Sequence, residues 1–132
     1  MTREMFDDSI RQMFESPELE RTAEEPSTLQ RIQGDFEGAF AGVKDKLGDS
    51  WQDVRTIYEM AFDKSFTMDS KVKIAVIGGL AYLVSPVDLI PERTLGPLGL
   101  ADDVAVLYFV LKYAQPEIAR YREFKTGGQD QT

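Results

Sequence analysis

Four carboxylates, Asp88, Glu92, Asp102 and Asp103, bracket one stretch rich in proline and glycine, SPVDLIPERTLGPLGLADD. Two chemistries are open to acids grouped in this way. Their oxygens suit a hard cation, Mg²⁺ or Ca²⁺, and a cation so held would support metal-assisted hydrolysis. The other role is structural. Short polar side chains accept hydrogen bonds from the unpaired N–H groups at a helix start, where negative charge is also favoured. The spacing fits no EF-hand loop, and no phosphate-cradling glycine loop accompanies the acids. The residues do fit helix starts. Ser85 reads as an N-cap, Pro86 as the first helical residue, where a missing N–H costs nothing, and Asp88 as the third. Pro91 biases Ile90 away from the α region and ends the turn. Gly99 and the preceding Gly96-Pro97 are turn signals. Asp102 reads as the N-cap of a following helix, with Asp103 in its first turn. Capping by Ser85, Pro86, Asp88, Pro91, Gly99, Asp102 and Asp103 is therefore the favoured reading. A cation site on Asp88, Glu92, Asp102 and Asp103 is its alternative.

Composition removes other chemistries. The 132 residues contain no Cys and no His. Thiolate catalysis, zinc sites built on Cys or His, and histidine-based triads are excluded. Lys and Arg total 15 against 23 Asp and Glu, a net charge of -8. A nucleic-acid interface needs a basic patch, and the thickest basic cluster is the pair Lys71 and Lys73, so nucleic acid is not an expected partner. No nucleophile–base set and no cofactor fingerprint is present, and no cofactor is expected. The start, MTREMFDDSIRQMF, is acidic and lacks an apolar core, so it does not read as a signal peptide. The expected location is the cytoplasm, with the inner face of the membrane as the alternative.

The elements that must position the acids follow from apolar spacing. Phe6, Ile10 and Met13 or Phe14 make a narrow stripe on a helix over 3–15. Residues 16–27, with two prolines among glutamates, read as a linker. Residues 1–27 thus form an acidic helix and linker ahead of a helical domain at 28–124, with 125–132 as a disordered tail. Ser27 and Gln30 form a capping-box pattern. Leu29, Ile32, Phe36, Phe40, Val43 and Leu47 then repeat every three or four residues on a helix ending near Gly48. Gly34, Gly38 and Gly42 lay a smooth strip along it. Ser50 is the next N-cap, for a helix whose inner face is Trp51, Val54, Ile57 or Tyr58, and Ala61 or Phe62. Residues 72–84, VKIAVIGGLAYLV, are apolar all round and must be buried on most sides. Gly78 and Gly79 within them admit a close neighbour. A last helix spans 103–123. The expected fold is all-α: a small bundle of four or five helices around a central apolar hairpin, residues 70–124.

At residues 72–112 the chain resembles the YkvA-like family, a bacterial domain of unknown function with the pattern SPxDLIPD followed by LGxxDD between two apolar helices. Ser85, Pro86, Asp88, Leu89, Ile90 and Pro91 match its first part, and Leu98, Gly99, Asp102 and Asp103 its second. Glu92 replaces the usual Asp and keeps the charge. The segment before Leu98 is one residue longer, with Arg93 and Thr94 in place of apolar residues. The family brings no established activity, so the resemblance implies an architecture.

The function expected is a non-enzymatic helical interaction or scaffold module that binds an unidentified protein partner or itself. The surfaces expected to matter are the glycine strip and the loop at 86–101. The runner-up is a peripheral membrane protein using the apolar hairpin 72–111, with Lys71, Lys73 and Lys112 near head groups. Neither apolar segment reaches the about 20 residues of a membrane span. The third reading is a divalent-metal enzyme using the acidic loop.

Overall fold

A computed structural model describes residues 3–90 and 103–130, with side chains at 8–90 and 103–127. Among the described residues there are six helices of eight residues or more and no strand. They are α1 (Arg3–Phe14), α2 (Pro17–Glu24), α3 (Pro26–Leu47), α4 (Trp51–Phe62), α5 (Ser70–Val84) and α7 (Asp103–Asp130); α6 is a short turn of helix, Pro86–Leu89. The all-α bundle around an apolar hairpin is thus the architecture observed.

α5 sits at the centre because its sequence leaves it no polar face. Every residue from Ala75 to Leu83 is buried. It packs along α7 and also meets α1, α2, α3 and α4. Its two glycines make room on different sides. A Cβ at Gly79 would lie 2.7 Å from Val110 Cγ2 of α7, and one at Gly78 would lie 3.0 Å from Leu19 Cδ2 and 3.1 Å from Phe14 Cε1. What fills these notches is side chains rather than a neighbouring backbone. Ile32, Phe36, Phe40, Val43 and Leu47 of α3 are all buried, so the stripe spaced by three and four is the face that meets the hairpin. Phe36 stacks on Tyr58 of α4 with ring centres 3.9 Å apart.

Several expectations are corrected. Residues 16–27 are not a linker. Ser16 caps α2 by accepting the Leu19 N–H at 3.3 Å, Pro17 takes the first turn, and Leu19, Thr22 and Ala23 are buried. Leu19 and Ala23, with Ile10 and Met13 of α1, join the same core as the rest of the bundle. The Ser27–Gln30 capping box does not form. α3 starts two residues earlier, with Pro26 in its first turn and Glu25 as a cap that makes no side-chain bond; proline's fixed φ already suits the first helical position. Ser50 does not cap α4 through its side chain, because residues Gly48–Ser50 form a 3-10 turn leading into the helix. Gly48, at φ 57°, ends α3 as expected. The tail is not wholly disordered, since α7 continues to Asp130. It also carries Pro116 in its interior, where the carbonyl of Lys112 loses its usual partner. Val106, Leu107, Val110, Leu111, Ala114, Ile118 and Tyr121 are buried on both sides of that proline, and their burial outweighs a proline penalty of about 3 kcal/mol.

Candidate functional site

The junction of α5 and α6 carries the described part of the acidic motif. The Ser85 N–H donates to Ala81 and ends α5, while the Ser85 carbonyl accepts from Leu89 at 2.9 Å and starts α6. One residue therefore closes one helix and opens the next. Ser85 stands at the N-cap and Pro86 in the first turn, but the Ser85 side chain bonds no backbone N–H. Its hydroxyl donates to Asp88 at 3.0 Å. The same carboxylate oxygen accepts from Arg31 of α3 at 3.3 Å. Arg31 also binds Asp35, and these two bonds raise its pKa further above the ordinary guanidinium value. Asp88 thus links α6 to α3 in place of the amide cap expected from the sequence. The pair is exposed, and solvent screens it. Ile90 is buried and pins the end of the turn, whereas Val87 is 75 % exposed beside it.

Pro91, Glu92, Gly99 and Asp102 lie outside the described residues, and so does the loop geometry they were expected to set. Asp103 opens α7. Among the described residues no group of three or more Asp, Glu, His or Cys could hold a metal ion. Asp88 shares its oxygen with a guanidinium, which is a poor setting for a cation ligand. Gly34, Gly38 and Gly42 face open space.

Sequence reasoning missed a second place, the connection between α4 and α5. Residues 63–69 are tied to α7 by side chains one turn apart. The Tyr121 hydroxyl donates to Asp63 at 2.8 Å. Glu117 accepts the Asp69 N–H at 3.0 Å, and Arg120 donates to the Thr67 carbonyl. The Arg120 guanidinium lies 4.4 Å over the Phe66 ring, and Phe66 meets Tyr121 edge-on at 4.8 Å. Asp63 also accepts from the Ser65 N–H and hydroxyl. Those Ser65 bonds, and then the Tyr121 bond, hold its carboxyl below the usual range. Burial, helped by the bond to Asp63, pushes the Tyr121 phenol up to about 12. Residues of this connection also wall a cleft of about 540 Å³ against α3, lined by Leu29, Met60, Phe62 and Met68 with Lys64 and Lys73. A smaller cleft of about 410 Å³, between α1 and the hairpin, is lined by Phe14, Ile74, Phe109 and Tyr113 with charges of both signs. The available signal was Asp63-Lys-Ser65, an Asx-turn pattern.

Residues 72–109 match the family model described as a protein of unknown function (DUF1232). The chain is 34% identical over 109 residues to an E3 ubiquitin-protein ligase RNF170 of Danio rerio, an alignment covering 77% of this chain and 40% of that protein. It is 34% identical over 105 residues to the RNF170 of Xenopus laevis, covering 74% of this chain and 39% of the relative. The RNF170 of Xenopus tropicalis matches at 32% over 118 residues, 83% of this chain and 45% of the relative. The chain thus spans about two fifths of the length of the curated relatives it matches. No solved structure shows significant similarity. Among the described residues no helix is long and apolar enough to cross a membrane.

Proposed function

We propose that this chain is a non-enzymatic helical interaction module that holds a protein partner or a second copy of itself in the cytoplasm. The resemblance at residues 85–103 to the YkvA-like pattern is in keeping with a domain defined by its architecture. The observation that carries the reading joins a similarity to a composition. The relatives are named as E3 ubiquitin-protein ligases, and in general a covalent thioester needs a Cys nucleophile and a Cys/His zinc domain needs those ligands. This chain has neither Cys nor His. The region aligned with those proteins brings neither of these in this chain, and a helical region without them is read as serving by contact.

Affinity purification of the tagged chain from its own cells tests the proposal. A partner, or a second copy, recovered in fixed ratio and retained through a high-salt wash is the expected result. Recovery of the chain alone and monomeric at high concentration would reject it.

A second reading has its own support. Val87, Tyr108 and Tyr113 are exposed apolar or aromatic side chains, and Lys112 lies beside Tyr113 on α7. Aromatic and basic residues together suit a membrane–water interface. Flotation with vesicles separates the two readings: a peripheral membrane protein floats and a soluble module stays at the bottom. The divalent-metal enzyme is the least favoured, because Asp88 is engaged by Arg31.

A further inference from the structure

The cleft between α3 and the α4–α5 connection has the features of a prepared binding site. Its wall is fixed from behind by Tyr121, Glu117 and Arg120, so little ordering remains to be done when a ligand enters. Its floor is apolar, and Met60 and Met68 supply side chains that adapt to varied shapes. Its charge runs against that of the chain. Lys64 and Lys73 are both exposed on its lining, and the ammonium group of neither takes part in an ion pair or hydrogen bond among the described residues. The carboxylate that shares the lining with them, Asp63, is already engaged by Ser65 and Tyr121. An apolar recess flanked by two unpaired ammonium groups selects an apolar group that carries negative charge at its edges.

We propose that this cleft receives an acidic amphipathic segment of a protein partner, with an apolar side chain against Leu29, Phe62 and Met68 and flanking carboxylates at Lys64 and Lys73. The inference rests on the interaction-module reading and names its site and the chemistry of its partner. A recess suits a protruding side chain better than a flat bilayer. A peptide is therefore favoured over a membrane as the occupant.

Calorimetric titration of the full chain tests it with two synthetic helical peptides that share one leucine face. One carries glutamates beside that face and the other lysines. The glutamate peptide should bind about tenfold or more tighter, with an affinity that falls as salt rises. The double variant Lys64→Glu/Lys73→Glu should lose about tenfold in that affinity while melting at the wild-type temperature, and Lys71→Glu, outside the cleft, should lose nothing. Equal binding of the two peptides, or undiminished binding by the double variant, overturns the proposal. Phosphatidylglycerol vesicles that bind the wild type and not the double variant overturn it in favour of lipid. If the glutamate peptide fails while the purified chain still holds a partner in fixed ratio, the cleft assignment falls and the module reading stands.

Discussion

Asp88 shows how a side chain can sit at the expected helix position and still do a different job. Its number in the turn is that of a capping acid, yet its carboxylate meets the Ser85 hydroxyl and the Arg31 guanidinium. Asp88→Ala should therefore lower the melting temperature only slightly, by no more than Asp35→Ala does, because both remove an exposed partner of Arg31. A large drop would restore the amide-cap account. Ser16 is the contrasting case, since its oxygen does accept an N–H of α2. Ser16→Ala should cost about 1 kcal/mol in a denaturant titration. The types and order of residues reveal that a helix begins at Ser85. They do not reveal the partner of Asp88, which arrives from a helix 57 positions away.

At the level of helices, glycine content reads differently on α3 and α5. Gly34 and Gly38 have open space where a side chain would go. Replacing either with Ala should stabilise the fold by about 0.5–1 kcal/mol, the helix-propensity gain. Gly79→Ala should instead destabilise by about 1–3 kcal/mol, because the new methyl meets Val110. Thermal melts of the three variants check both signs. The main helices were legible because their apolar residues recur every three or four positions, as from Ile32 to Leu47, or fill the segment entirely, as in α5. α2 was not, because Pro17 and Pro26 were weighed as breakers. Each in fact occupies a first turn, where proline is welcome. α7 carries Pro116 for another reason: burial on either side of it dominates local preference.

For the whole molecule, the connection at 63–69 couples pH to stability through three groups, one with its pKa raised and two with theirs lowered. The Tyr121 pKa is raised in the folded state to about 12, from an ordinary value of 10.0. Its contribution is complete below pH 10 and disappears as pH rises toward 12. The pKa values of Asp63 and Glu117 are lowered on folding. Their contributions hold above the ordinary carboxyl range and are lost as pH falls from it toward their lowered folded values. Melts across pH should show a plateau with both edges, and Tyr121→Phe should remove most of the alkaline one. None of this was readable in advance. Asp63 and Tyr121 are 58 positions apart, and only the folded bundle brings α7 across the connection. The candidate cleft is hidden from sequence for the same reason, since its lining comes from α3, α4 and α5 together. The single indole of the chain, Trp51, stands where α3 gives way to α4, with the Lys44 ammonium 4.4 Å over its ring. That placement makes it a built-in lamp on the α3–α4 corner: any occupant that spreads the two helices should change its brightness and colour, with no label attached.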